Sequence, residues 1–429
     1  MNSHSGTSNS DKVSYVISNV NVLEAIKTLK PNYSSGPDNI ANIVYTKANF
    51  AMINYIQMLF NQIIRTQRFP TIWKLAKVTP IFKDGDRSKV NNYRPISNLN
   101  SLSKLFEKII KMFVCHFLEQ HHIISNNQHG FRQGFSTSTN LLLFTNFVNN
   151  AFIDKAEVHT VYLDFQKAFD KVNHMILIDK LISLDFDSVI VNLITSYLQD
   201  RQQFVVINGY HSNVISCPSG VPQGSVLGPI LFGIFINDCI KLVKYSRCLL
   251  YADDMKIFKE VNGNSRDFDI HQLQLDINAI YNWSQDMNLP LNLEKSKYMI
   301  FNSCQSSTSK QDSISLYKIG SSILGSVSIH KDLGITFENN LSFDTHVKNI
   351  ILTANHTNAC LRKCFNFTSN NIRILLFNSF IRPHFDYGSI IWVAKNSMNN
   401  RIEKVLKSYT RHLEFDTYQN YKSRLIKLQ

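Results

Sequence analysis

The chain has 429 residues, 44% hydrophobic and 18% charged, which excludes a disordered polar chain and is long enough for two or three packed subdomains. Its 45 Lys and Arg against 32 Asp and Glu leave a net charge of +13, a sign that suits a polyanionic partner, because neutralising phosphates supplies most nonspecific nucleic-acid affinity. Seven scattered cysteines, an odd number without close pairs, argue against a disulfide framework and for a reducing intracellular compartment, nucleus or cytoplasm.

The start, Met1 to Asp11, is polar and Ser/Asn-rich, without the apolar stretch of a signal peptide. Asn19 to Lys30 reads as a short helix, and the turn formers of 32–39 read as a loop. A longer helix is expected from Thr46 to Gln67, because Met52, Ile53, Ile56, Leu59, Phe60 and Ile63 recur at helical spacing and Pro70 stops it. Lys74 to Phe82 mixes basic and apolar side chains and suggests a strand with a basic face, closed by the turn Lys83-Asp84-Gly85-Asp86. Ser101 to Glu119 carries a packing stripe of Leu105, Ile109, Phe113 and Phe117 on a helix.

Thr160 to Leu163 reads as a buried strand ending at Asp164, followed by helical segments from Lys167 to Leu184 and from Ser188 to Leu198. Asn208-Gly209 is the favoured two-residue hairpin turn within Phe204 to Ser216. The longest apolar run, Pro229 to Ile236, contains Gly233 and ends at Asn237-Asp238, so it reads as a buried helix and not as a membrane span. Short strands beyond Lys297 give way to helices from Phe343 to Cys364 and from Asn370 to Phe380, with a boundary near Gly334 to Leu341. His356, Cys360 and Cys364 would share one helix face; a zinc site usually draws on two elements, so core packing is the expectation for them. The fold class is mixed, α/β (α+β).

The sequence feature with the most chemistry is Asp253-Asp254, two neighbouring carboxylates in a turn between apolar runs. They repel and resist desolvation unless a cation compensates, and Mg²⁺ prefers such oxygen ligands together with substrate phosphates. Asp164 is the natural third carboxylate, since the buried strand before it could set it beside the pair; taken alone it could equally cap a helix. Three carboxylates could hold two Mg²⁺ ions about 3.5–4 Å apart, one activating a hydroxyl and the other stabilising leaving oxygens.

The segment from Phe165 to His174 after Asp164 resembles the first palm motif of reverse transcriptases of non-LTR, LINE-type retrotransposons, in particular the jockey-like group. Val221-Pro222-Gln223-Gly224-Ser225-Val226-Leu227-Gly228-Pro229 resembles the second palm motif, and Tyr251-Ala252-Asp253-Asp254 the third. Ser35-Gly36-Pro37-Asp38 is similar to the N-terminal extension motif, Asn92 to Ser97 and Gln128 to Arg132 to the fingers, and Leu291 to Ser296 to the fourth palm motif. Lys331-Asp332-Leu333-Gly334-Ile335 resembles the strand pair before the thumb, and Arg382-Pro383, Tyr387-Gly388 and Trp392 the family's C-terminal helices.

The resemblance implies a right-hand polymerase fold with fingers, an antiparallel palm sheet packed on helices, and a helical thumb. It divides the chain into a polar tail (1–18), an N-terminal extension (19–66), fingers and palm (67–335), and a thumb with a basic helical segment (336–429). It implies an RNA-directed DNA polymerase with two Mg²⁺ ions, or Mn²⁺ as substitute, acting on an RNA template, a DNA primer or target and dNTPs, without a membrane. Asp164, Asp253 and Asp254 would hold the metals, with the Phe165 carbonyl as a further ligand, and Lys295 would protonate the departing pyrophosphate unless it is a solvated lysine. Lys83 and Arg94 would grip the triphosphate, or else form an exposed basic loop. Gln223 would lie near the nucleotide sugar and templating base. Arg132 and Gly224 would approach nucleic acid, and Gly220 and Gly224 permit close backbone approach. Phe169, unless it only packs on the palm, would exclude a ribose 2′-hydroxyl.

Phe135 stands where such enzymes usually carry a basic residue after Gly134, which puts one fingers contact in doubt. Because Met1 lies shortly before the N-terminal extension motif, the resemblance implies a shortened copy without the upstream endonuclease and without nicking activity, so that an endonuclease supplied in trans would be a partner. The basic segment Arg401 to Lys427 reads as an amphipathic helix that contacts nucleic acid. Two alternatives stand beside the polymerase: a catalytically silent, retrotransposon-derived nucleic-acid-binding fragment, and an intron maturase.

Overall fold

The computed structural model describes residues 15–31, 33–303, 316–365, 369–392 and 396–411. Its helices in chain order are α1 (Asn19–Lys27), α2 (Asn42–Thr46), α3 (Phe50–Thr66), α4 (Ser101–Gln120), α5 (Thr137–Ile153), α6 (His174–Ser183), α7 (Ser188–Leu198) and α8 (Gly228–Ile236). They continue with α9 (Arg266–Asp286), α10 (Asp344–Cys364), α11 (Asn370–Leu376), α12 (Arg382–Asp386), α13 (Ser389–Trp392) and α14 (Asn396–Thr410). The strands are β1 (Leu75–Phe82), β2 (Tyr93–Asn98), β3 (Glu157–Leu163), β4 (Gln202–Ile207), β5 (Tyr210–His211), β6 (Ile215–Ser216) and β7 (Arg247–Tyr251). After these come β8 (Asp254–Val261), β9 (Lys297–Phe301), β10 (Lys318–Ile319), β11 (Ser322–Ile323), β12 (Gly325–Ser326), β13 (Ile329–Asp332) and β14 (Ile335–Glu338).

The chain separates into two compact units, each assembled from distant stretches. One comprises Met1–Phe131, Phe165–Lys241 and Asn282–Leu291; the other comprises Arg132–Asp164, Leu242–Tyr281 and Asn292–Gln429.

In the first unit, α3 buries Ile53, Ile56, Phe60, Ile63 and Ile64, whereas Met52 of the expected stripe is half-buried and Leu59 exposed. Each buried side chain contributes about 1.5–3 kcal/mol when removed from water. The helix starts at Phe50 and not at Thr46, because Asn49 caps it by accepting from the Met52 N–H. Phe60, Phe69, Trp73, Phe106 and Tyr197 interlock there, with Phe69 and Tyr197 edge to face at 5.0 Å. The sheet of this unit runs β2-β1-β4-β5, and β6 also pairs with β4. β1 pairs antiparallel with β2 and parallel with β4. Its Lys residues do not make the expected basic face: Lys74 precedes the strand and is buried, whereas Lys77 falls on the opposite side from Ala76 and Val78. The β4–β5 turn forms as read, with Asn208 and Gly209 both at positive φ.

The helix expected from Lys167 to Leu184 is broken. Lys167 adopts a left-handed φ of 49°, a single 3₁₀ turn covers Ala168–Lys171, and Asn173 caps α6 by accepting from the Met175 and Ile176 N–H groups.

The second unit holds the sheet β12-β9-β3-β8-β7, in which β3 lies centrally between antiparallel β8 and β9. β3 is longer than the expected Thr160 to Leu163, and Val158 through Leu163 are all buried. Phe144, Val148, Phe258, Phe301, Phe337 and Trp392 belong to the core beneath it. The expected C-terminal helices form, but α11 passes into a π-helical turn over Phe377–Ile381. Cys360, Cys364 and His356 are exposed on α10, so core packing does not account for them; the buried face of that helix runs through Val347, Ala354 and Asn358. The basic tail is helical to Thr410, and its residues beyond Arg411 lie outside the described residues. Among the described residues no disulfide is present and no helix is long and apolar enough to cross a membrane.

Candidate active site

Asp164, Asp253, Asp254, Lys295 and Arg132 belong to the second unit; Lys83, Arg94, Phe165, Phe169, Gln223 and Gly224 belong to the first.

β7 and β8 register Tyr251 opposite Asp254, so Ala252 and Asp253 alone make the turn. Ala252 takes φ 58°, a left-handed conformation that a non-glycine residue adopts at a cost, and the ladder on both sides enforces it. Asp164 follows the last residue of β3, whose Leu163 pairs with Met255, and this register carries the third carboxylate to the same end of the sheet as the turn. No helix begins at Asp164, so it is not a helix cap. Its backbone is held elsewhere: the Asp164 N–H donates to Ser296 Oγ at 3.2 Å, and its carbonyl accepts from the Asn292 N–H at 2.6 Å.

Asp254 is exposed as a residue, yet protein surrounds its carboxyl on several sides. This desolvation, followed by the charges of Asp253, Asp332 and Asp164, pushes its pKa up to about 7, while the Lys256 ammonium pulls the other way. Among the described residues no three acidic, His or Cys side chains close into a coordination sphere. The donor set of Asp164, Asp253 and Asp254 is nonetheless hard oxygen, the kind a divalent cation such as Mg²⁺ prefers.

Asp164 and Asp254 line a cavity of about 230 Å³ together with Tyr162, Lys256, Lys295 and Asp332. Lys295 is exposed at its edge, with its backbone N–H donating to Asn292 Oδ1 at 3.3 Å. Lys256 and Asp332 form a buried ion pair, and Lys256 Nζ also lies 4.7 Å from the centre of the Phe144 ring. Burial lowers the Lys256 pKa while Asp332 raises it. Sequence reasoning missed Lys256, Asp332 and Ser296. Strand alternation was the available signal for Lys256, because residues two apart share a face and Lys256 follows Asp254 by two. Arg132 lies over the Phe135 ring at 4.3 Å, so the departure at Phe135 gives the arginine an aromatic platform.

In the first unit, three predicted residues, Phe169, Gln223 and Gly224, meet in one loop system. The Val221 N–H bonds the Phe169 carbonyl at 2.8 Å, and Gln223 Nε2 donates to Asp170 Oδ1 at 3.0 Å. The Ser97 N–H of β2 bonds the Gln223 carbonyl at 2.7 Å. Gly224 sits there with φ 108°, and a Cβ on it would come within 2.8 Å of the Ser97 carbonyl oxygen, so only glycine fits. Glu107, fully buried on α4, accepts from the Val226 and Leu227 N–H groups at 2.8 and 3.2 Å and fixes the far end of this loop. Phe169 is half-buried, stacked on Phe232 at 4.6 Å. Lys83 and Arg94 are exposed on the β1–β2 hairpin, Arg94 paired with Ile81 and the Lys83 N–H bonded to the Asn92 carbonyl at 2.8 Å. Phe165 is buried, and its bridge with Leu291 is flanked by the Gln166 N–H to Pro290 carbonyl bond, which leaves the Phe165 carbonyl outside that pairing.

Known proteins resemble this chain over most of its length. The chain is 32% identical over 394 residues to the probable RNA-directed DNA polymerase from transposon BS of Drosophila melanogaster, covering 89% of this chain and 43% of that protein. It is 29% identical to the probable RNA-directed DNA polymerase from transposon X-element of the same organism, over 91% of this chain and 43% of that protein. To the RNA-directed DNA polymerase from mobile element jockey, also of Drosophila melanogaster, it is 29% identical over 83% of this chain and 39% of that protein. The chain thus spans about two fifths of the length of these relatives, and the jockey-like resemblance read from the motifs is met by them. The family described as reverse transcriptase (RNA-dependent DNA polymerase) matches residues 81–337, more than half of the chain. The protein belongs to the reverse transcriptase family, and its mixed α/β architecture is that family's right-hand polymerase fold.

Proposed function

We propose that this chain is an RNA-directed DNA polymerase of a non-LTR retrotransposon, extending a primer 3′-hydroxyl with dNTPs on an RNA template. The observation that carries the reading is the strand register that brings Asp164, Asp253 and Asp254 to one end of the central sheet. These three side chains, with the Phe165 carbonyl, would hold two Mg²⁺ ions, or Mn²⁺ in their place. When bound, the ions supply charge neutralisation for the triphosphate and lower the pKa of the attacking hydroxyl.

The chain's own residues then divide the work. The Asn292 and Ser296 bonds hold the Asp164 backbone at the strand end. Lys295, exposed beside the acidic cavity, would give its proton to the departing pyrophosphate. On the hairpin, exposed Lys83 and Arg94 would offset triphosphate charge, the guanidinium with two parallel donors. Phe169 would present its ring where a 2′-hydroxyl stands, and the stacking on Phe232 would keep it from yielding. Gln223, tied to Asp170, would face the sugar and templating base, while Gly224 and Arg132 would meet the nucleic-acid backbone. Residues 336–429 would act as thumb, 19–66 as an N-terminal extension and 67–335 as fingers and palm.

The test is incorporation of labelled dNTPs by the pure chain on a primed RNA homopolymer and on the corresponding DNA template. Primer extension on RNA that stops when the template is digested beforehand supports the reading. A folded chain that binds the primed template but adds no nucleotide favours the silent nucleic-acid-binding fragment.

A further inference from the structure

Lys256 follows Asp254 by two residues on β8, so the two side chains leave the same face of the strand. The Lys256 side chain is buried, and a buried ammonium requires a partner. Two carboxylates act on it, Asp254 and Asp332, and the hydrogen bond goes to Asp332. Asp332 is brought there by the β13–β14 hairpin, whose Leu333 adopts φ 44°. That hairpin is pinned twice: Tyr387 Oη donates to the Leu333 carbonyl at 2.7 Å, and His330 stacks on Tyr162 at 3.9 Å. Tyr162 is in turn the cross-strand partner of Lys256. A strained turn held from both sides thus delivers one carboxylate to one ammonium, 76 residues away in sequence.

The arrangement has a consequence for Asp254. Without Asp332, the shortest route for Lys256 to regain a counter-charge is the carboxylate on its own strand face. An ammonium seated on Asp254 would occupy oxygen lone pairs that a cation needs. Resting on the reading of Asp164, Asp253 and Asp254 as the cation-holding carboxylates, we infer that Asp332 is a positioning residue that keeps the Lys256 ammonium off Asp254 and so leaves the cluster open to a divalent cation. Tyr387 and His330 support the same task by fixing the hairpin.

The experiment is a titration of the full chain with Mn²⁺ alone, without nucleotide or nucleic acid, in which unbound Mn²⁺ is read by electron paramagnetic resonance and folding by thermal melting. The parent binds Mn²⁺ and Asp254→Asn does not. Asp332→Asn, with its ammonium released, binds about tenfold more weakly. Lys256→Met/Asp332→Leu, which removes the ammonium together with its partner, returns to within about threefold of the parent. An Asp332→Asn protein that melts normally and binds like the parent overturns the inference, as does a double variant that is folded but about tenfold weak. If Asp332→Asn does not fold, the double variant decides alone by the same criterion. A folded parent that binds no Mn²⁺ sinks the reading of the three carboxylates, and the inference with it.

Discussion

The backbone N–H of Asn292 meets the carbonyl oxygen of Asp164 at 2.6 Å, and four residues later Ser296 Oγ accepts the Asp164 N–H at 3.2 Å. The segment around Lys295 and the end of β3 are therefore one mechanical piece. Ser296 is completely buried, so its hydroxyl serves Asp164 and not solvent.

Replacing Ser296 by Ala leaves the partly buried Asp164 N–H without its acceptor, at about 1–2 kcal/mol. The expected result is a melting temperature lowered by a few degrees and a kcat reduced about tenfold, with the dNTP KM changed less than about twofold, because in the proposed role Asp164 would act on the reacting atoms and not on nucleotide capture. Steady-state primer extension with thermal melting measures both. A KM effect larger than the kcat effect would contradict the assignment.

Phe169→Ala removes the ring that stacks on Phe232. A steric gate of this kind is worth about 1–3 kcal/mol, so the ratio of ribonucleotide to deoxynucleotide kcat/KM should rise by about 10–200-fold. Single-nucleotide incorporation with paired substrates reads the ratio, and a variant no more permissive than the parent removes Phe169 from that role.

His346 gives the fold a pH dependence. Burial, with a smaller contribution from Lys331, lowers its pKa from 6.5 to about 4, and its Nδ1 accepts the Thr336 N–H at 3.3 Å, which requires a bare ring nitrogen. The unfolded chain protonates below 6.5 while the folded chain does not until about 4, so stability is full above 6.5 and falls as the pH drops through that window. The expected loss between pH 7 and 5 is about 1–2 kcal/mol, and His346→Phe removes this component. Urea unfolding at both pH values gives the difference; equal slopes in parent and variant would contradict it.

Arg132 rests on the Phe135 ring and carries a guanidinium suited to a phosphate. Arg132→Ala should weaken binding to a primer–template duplex and flatten the slope of log affinity against log salt by about 0.9, the share of one phosphate. Fluorescence anisotropy across a salt series measures it, and an unchanged slope excludes a phosphate contact.

Local chemistry made part of this structure legible. Asn208-Gly209 permits positive φ at both positions, and the acidic turn after Tyr251 sits where two apolar runs demand a hairpin. The break at Lys167 was not legible, because the apolar spacing continues through it while the backbone is redirected by a left-handed residue and the Asn173 cap. Lys74 looked like part of a solvent-facing basic row and is instead buried before the strand begins. Cys360 and Cys364 share a helix face as their spacing requires, but the core chose the Val347 and Ala354 face. The Lys256–Asp332 pair was invisible for a different reason: each is an ordinary charge in its own segment, and only the register of two hairpins makes them partners.

The most direct measurement of the central claim is primer extension on an RNA template with Mg²⁺, comparing the parent with Asp253→Ala at matched folding and template binding. Full-length complementary DNA is expected from the parent, and a loss of at least about a thousandfold in rate from the variant. Equal activity in the two proteins, or none in a folded parent, would contradict it.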